Sequence, residues 1–234
     1  MIINLIKRSI LAGIMISLGG YVYLMTYTDN KYIASALFSI GLLSILYLQY
    51  DLFTGKVCNI VSNLSVTYTI SDRYYVHHHQ RPIYKPNNPL YYIIVLIGNL
   101  LGCFMMAGIP HLTMSKSSLE YVNSLCAGKI SKSPSNLFCS AIVCEICITI
   151  AVWVYNSAKE KNTNIIVTLA VMTFIISGSE HCIADGYYFM VDLINNFSVE
   201  NLILYSEALM IVIIGNLLGG ILMNLLNIQQ NKNK

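Results

Sequence analysis

The chain has 234 residues and a formal net charge of +3, with hydrophobic residues at 56% and charged residues at only 11%. A soluble domain carries roughly 25% charged residues, so this balance excludes a water-soluble globular enzyme, and it equally excludes a disordered chain, which needs few apolar groups. The excess of 14 Lys and Arg over 11 Asp and Glu is too small and too scattered for nucleic-acid binding, and a bilayer is the expected solvent.

At about 20 residues per span, this length holds six helices with short connections, and the alternating strands of a membrane barrel are missing from the sequence. Lys7 and Arg8 precede a charge-free stretch at 9–28, too long for a signal-peptide core and without a cleavage pattern, so 9–27 reads as a retained first span. The second region covers 32–69, interrupted near 51–56. Residues 71–89 are polar and carry Pro82, Pro86 and Pro89, which marks a cytoplasmic loop. His77, His78 and His79 lie in it, but consecutive side chains do not converge on a metal, and no metal or cofactor is expected. The third and fourth regions are 90–109 and 136–157. Cys144 and Cys147 have the spacing of a redox or zinc pair, yet inside an apolar run they read as small buried residues. The fifth region is 163–194, interrupted near 177–185, and the sixth is 204–227.

With the N-terminus inside, the cytoplasmic side holds Lys7, Arg8, Arg73, Arg81, Lys85, Lys159, Lys161, Lys232 and Lys234, against Lys31, Lys116, Lys129 and Lys132 outside. Nine against four places both termini in the cytoplasm.

Regions two and five are too long for one straight span and polar at their middles. Unwound backbone at membrane depth is tolerated only where it lines a cavity or is buried in protein. Each is the second of three spans, and paired interruptions in matching positions predict inverted repeats with a site between them. The repeat is visible in letters: the nine residues from Ile94 and the nine from Ile211 both read Ile-Val-x-Ile-Gly-Asn-Leu-Leu-Gly, identical at eight positions. The single domain, 1–234, therefore divides into repeats at about 9–112 and 133–228. The small residues allow close helix contact, across which Asn99 and Asn216 can hydrogen-bond.

Charged groups inside spans cost roughly 2.5–3.5 kcal/mol each on insertion scales and are functional candidates. Here they are Asp51, Glu145, Glu180, His181 and Asp185, with Lys56 at the margin. Asp51 is expected to cap the short helix after the first break, with Thr54 lining a pore beside Gly55. In the second break, His181 is the side chain that titrates near neutral pH, while Glu180 and Asp185 are expected to fix backbone and helix ends.

These motifs resemble the formate/nitrite transporter family over nearly the whole chain. Asp51-Leu-Phe-Thr-Gly matches that family's acidic-Leu-Phe-Thr-Gly/Ser run, and Ser177-Gly-Ser-Glu-His-Cys-Ile-Ala-Asp185 matches its Ser-Gly-Phe-Glu-His run; Ala151-Val-Trp is also similar. The resemblance implies an all-α, aquaporin-like membrane protein. Six transmembrane helices form two inverted three-helix repeats, the second and fifth helices are broken, and the protein is a homopentamer with a pore in each protomer. It makes His181 the central histidine, Thr54 its pore-lining partner, Leu42 and Phe174 the apolar constrictions, and Lys129 the vestibule lysine. The implied function is a channel or transporter for small monovalent weak-acid anions (formate, nitrite or hydrosulfide) in a bacterial-type plasma membrane. Lys129 draws in the anion, and a proton taken up near His181 lets the neutral acid cross. The chain departs from the family at Glu145 and Asp185, where the family has Asn, and at Ser179 and Gln49. Glu145, near the same pathway, is expected to repel anions if charged, to pair with Lys129, or to stay neutral. Lys56 is expected at the inner mouth, and a cytoplasmic gating helix is expected to be missing. The competing readings are a neutral-solute pore for water or ammonia and, less favoured, an intramembrane enzyme; no ATP-binding or His-Glu-x-x-His motif supports a pump or a zinc enzyme.

Overall fold

The computed structural model describes residues 2–65, 88–157 and 162–232. The histidine run at 77–79 and the loop cations Arg73, Arg81, Lys85, Lys159, Lys161 and Lys234 lie outside the described residues. Eleven helical segments follow one another among those described: α1 Ile2–Thr26, α2 Lys31–Leu48, α3 Phe53–Val57, α4 Ile60–Ser65, α5 Pro89–Ala107, α6 Ile109–Thr113, α7 Lys116–Ile130, α8 Pro134–Ser157, α9 Thr163–Ile176, α10 Cys182–Asn195 and α11 Val199–Lys232.

Local chemistry sets the ends. The Asn30 side chain accepts from the Tyr32 and Ile33 N–H groups at 2.9 and 3.1 Å and starts α2. Asn88 caps α5, and Pro89 sits where its missing N–H costs nothing. Five helices are long and apolar enough to cross a membrane: α1, α2, α5 running into α6, α8, and α11. The sixth crossing is the shorter apolar α9 continued by α10. The long helices bury one face and expose an equally apolar other. On α5, Val95, Asn99 and Gly102 are buried, while Ile93, Ile97, Leu101 and Phe104 form an exposed stripe. In water that stripe would be a large apolar patch; in lipid it is the expected surface.

The packing repeats with a two-fold pattern. α1 lies on α5 in the first half and α8 on α11 in the second. The half-helices after the breaks cross over, α3 and α4 packing on α11 and α10 on α5. The breaks are shorter than the sequence suggested. The first lies at 49–52, two residues ahead of the expected 51–56, and α3 already includes Thr54 and Lys56. The second spans only 177–181, so Asp185 lies inside α10. A left-handed residue, Gln49 at φ 56° and Gly178 at φ 67°, stands just past the end of α2 and of α9 and stops the helix there.

The connection between spans three and four, for which the sequence analysis named no element, is largely the helix α7. The Ser115 hydroxyl accepts from the Ser118 N–H at 3.2 Å to start it. Ser118, Val122, Cys126 and Lys129 form the buried face that holds it down.

Candidate functional site

Each break is held by an asparagine from the third helix of its half. Asn99 accepts the Phe53 N–H at 2.8 Å and donates to the Asp51 and Ser9 carbonyls at 2.9 and 2.7 Å. Asn216 accepts the Cys182 N–H at 2.9 Å and donates to the Glu180 and Ala141 carbonyls at 3.1 and 2.8 Å. The amides thus satisfy backbone groups that the interrupted helices leave orphaned at membrane depth.

The acidic residue in each break binds two cations. Asp51 pairs with Arg8 and Lys56, both at 2.9 Å, and accepts from the Tyr91 hydroxyl at 3.0 Å. It does not cap α3 as expected: α3 has Leu52 at its N-cap with no side-chain bond, and the Asn99 amide takes the capping N–H instead. In the second break Glu180 pairs with Lys129 and Lys132. Even the left-handed residues match, since Arg8 donates to the Gln49 carbonyl and Lys132 to that of Gly178, the latter at 2.8 Å.

Between the two breaks lies a buried pair. Thr54 Oγ1 and His181 Nε2 are 3.0 Å apart, and the His181 Nδ1 accepts the Ala184 N–H at 3.2 Å. A ring nitrogen that accepts carries no proton, so the neutral imidazole keeps its hydrogen on Nε2 and donates it to Thr54. The Phe174 ring stacks on His181 at 5.7 Å between centroids, and Phe38 meets Phe174 edge-on at 6.1 Å. A cavity of about 250 Å³ opens above this ring. Tyr23, Tyr27, Tyr121 and Tyr188 line its walls, with Lys129, Asp185 and His181 among its polar groups. Leu42, Thr54 and Glu145 are buried outside the lining.

Lys129 is not a free vestibule cation. Its ammonium group contacts Glu180 and lies 2.7 Å from Asp185 Oδ1. It does not pair with Glu145, whose two oxygens have no hydrogen-bond partner among the described residues. Glu145 instead lies beneath Gly219, where an added Cβ would come 2.8 Å from its own. Lys132 was read in the sequence only as an outer-side cation, and the tyrosine walls and Phe38 went unread, although Tyr23 and Tyr27 have the i, i+4 spacing of one helix face.

The family model described as formate/nitrite transporter matches residues 1–228. The chain belongs to that family. As a formate/nitrite transporter family protein it is an integral membrane protein of a transporter family, not of an enzyme family. A formate-nitrite transporter of Plasmodium knowlesi is 26% identical over 245 residues, covering 94% of this chain and 74% of the relative. Formate-nitrite transporter 3 of Toxoplasma gondii is 20% identical, covering 93% of this chain and 45% of the relative, so the chain spans under half of that protein's length. A solved structure described as a pentameric formate channel with formate bound superposes with a TM-score of 0.75 at 22% identity, covering 100% of this chain and 98% of that one. The likeness establishes the family fold: six crossings in two inverted three-helix repeats, the second and fifth broken.

Proposed function

We propose that this family member is a channel or transporter for small monovalent weak-acid anions such as formate, nitrite and hydrosulfide. The reading rests on one observation. A buried imidazole, hydrogen-bonded to Thr54 across two broken helices, forms the floor of a cavity whose charged side chains include Lys31, Lys129 and Asp185. A bare anion is costly to move past Phe174, His181 and the buried Leu42, whereas the neutral acid is not. The cargo enters under the positive charge of Lys129 and takes up a proton near His181, in the cavity. The Nε2–H and Thr54 then offer hydrogen bonds to the neutral acid as it passes. The ring itself is a poor proton source, because charging Nδ1 would break the Ala184 bond. Asp51, with its cations Arg8 and Lys56, holds the inner break, and Asn99 and Asn216 hold both half-helices in register.

The chain works as one domain of two repeats, at about 9–112 and 133–228, and assembles as a homopentamer with a pore in each protomer. It resides in a plasma (inner) membrane with both termini cytoplasmic. The excess of Lys and Arg on the N-terminal side supports that orientation.

The test is flux of formate, nitrite and hydrosulfide into reconstituted vesicles at pH 5 to 8, protein-free vesicles subtracted. Wild type should carry at least one of them. His181→Phe should lower the flux at least tenfold while the oligomer elutes unchanged. Absence of flux for all three removes the reading, and normal flux in His181→Phe removes the histidine from it.

A further inference from the structure

The cavity above His181 is wider than its proposed cargo needs. Its volume of about 250 Å³ is that of several water molecules, each taking about 30 Å³ in the liquid, whereas formate and nitrite are each little larger than one water. Its walls are aromatic: Tyr23, Tyr27, Tyr121, Tyr188, Phe38 and Phe174 all line it. These rings are packed on one another. Tyr27 stacks on Tyr121 at 4.3 Å between centroids, and Tyr23 lies 5.3 Å from Tyr27 and meets Phe38 edge-on at 6.3 Å. A wall already held in place costs a ligand little ordering.

Charge faces the same space. The lining carries Lys31, Lys129 and Asp185, an excess of one cation. Lys129 and Lys132 are balanced by Glu180 and Asp185. Lys31 is exposed and has no ion pair among the described residues. Its ammonium lies 5.2 Å from the centroid of the Tyr32 ring, a contact weak enough at an exposed site for the side chain to turn to a ligand. Within the walls the Tyr23 and Tyr121 hydroxyls lie 3.3 Å apart. One of their hydrogens serves that bond, and the other is left to donate.

We propose that this vestibule is a binding site for an aromatic monocarboxylate of benzoate size. The carboxylate takes Lys31 at the mouth. The ring lies against the tyrosine wall, where aromatic pairs gain more than the area they bury. It goes no further, because Phe38, Phe174 and His181 are packed below at 6.1 and 5.7 Å between centroids. The ligand therefore plugs the entry instead of crossing. The binding stands on the cavity alone; that it blocks passage rests on the transport reading above.

The experiment is calorimetric titration of the detergent-solubilised protein at pH 7 with benzoate, cyclohexanecarboxylate and acetate. Benzoate should bind about tenfold or more tightly than acetate, through the buried ring. It should bind roughly twofold to tenfold more tightly than cyclohexanecarboxylate, the increment of an aromatic pair. Lys31→Gln should weaken benzoate about fivefold, the worth of one unit charge at contact in water, and Lys31→Arg should keep it. Tyr27→Leu should erase the preference over cyclohexanecarboxylate. Equal affinity for benzoate and acetate overturns the proposal, as does unchanged affinity in Lys31→Gln, whose exposed position leaves the core intact. In vesicles, benzoate on both sides should inhibit formate flux, at concentrations that rise about fivefold in Lys31→Gln. Bound benzoate that leaves the flux intact overturns the plug. No flux of formate, nitrite or hydrosulfide in wild type would instead overturn the transport reading, while the titration still decides the site.

Discussion

Asn99 and Asn216 make the same three hydrogen bonds in opposite halves of the chain. Each accepts one N–H at the start of a half-helix, Phe53 or Cys182, and donates to the carbonyl of an acid in the break, Asp51 or Glu180. The third bond ties the amide to the first helix of its half, at Ser9 or Ala141. Asn99→Ala and Asn216→Ala should therefore be equally damaging. Each removes three hydrogen bonds to buried backbone groups, for a cost of about 3 kcal/mol. Thermal unfolding of the detergent-solubilised protein should show matched losses; a loss confined to one variant would break the equivalence of the halves.

That equivalence was partly legible. The repeated Gly-Asn-Leu-Leu-Gly located both asparagines, and the paired polar interruptions located both breaks, because hydropathy is strict at membrane depth. The edges of the breaks were not legible, since they depend on one residue adopting φ above zero, and Gln49 gives no signal for it. The partner of Lys129 was equally hidden. Asp185 and Glu180 reach it from a distant element, and no local pattern distinguishes them from Glu145. α7 was missed because its buried face is short and mixed, with Ser118 and Lys129 on it beside Val122 and Cys126.

Gly13 shows how close the first and third helices of a half lie. A Cβ there would fall 2.0 Å from the Asn99 carbonyl oxygen, backbone that cannot yield. Gly13→Ala should force α1 from α5, disturb the Asn99 bonds and abolish recovery of the folded oligomer by gel filtration. Gly128→Ala, where no atom lies within 4 Å, is the control that should leave recovery unchanged.

Lys129 is a structural cation as much as a vestibule group. Burial opposes its charge, but the Asp185 and Glu180 carboxylates outweigh that and hold it above the usual lysine range. A cation raised in this way contributes stability that is complete below the ordinary lysine value, about 10.4, and fades only as pH climbs through the folded-state value. Titration of Lys129 therefore changes nothing between pH 5 and 8. Lys129→Ala should lower stability by about 3–5 kcal/mol, the usual cost of breaking a buried pair, and Asp185→Asn on top of it should restore part of the loss. Thermal midpoints of the single and double variants at pH 7 check this; a double variant no more stable than Lys129→Ala would show that Asp185 does not depend on the pairing.

Glu145 poses the opposite case, a buried acid to which the described residues offer no partner. It is 0% exposed, neither oxygen is hydrogen-bonded, and Gly219 of α11 presses on its stem. An ionised carboxylate stranded there would cost several kcal/mol, whereas an amide of the same shape brings no charge. Glu145→Gln should therefore leave the thermal midpoint equal to or above that of wild type. Flux should be unchanged, because Glu145 lies outside the lining of the cavity that holds Lys129 and His181. A midpoint several degrees lower would mean that the carboxylate has a working partner, and a rise in anion flux would mean that its charge reaches the conduction path.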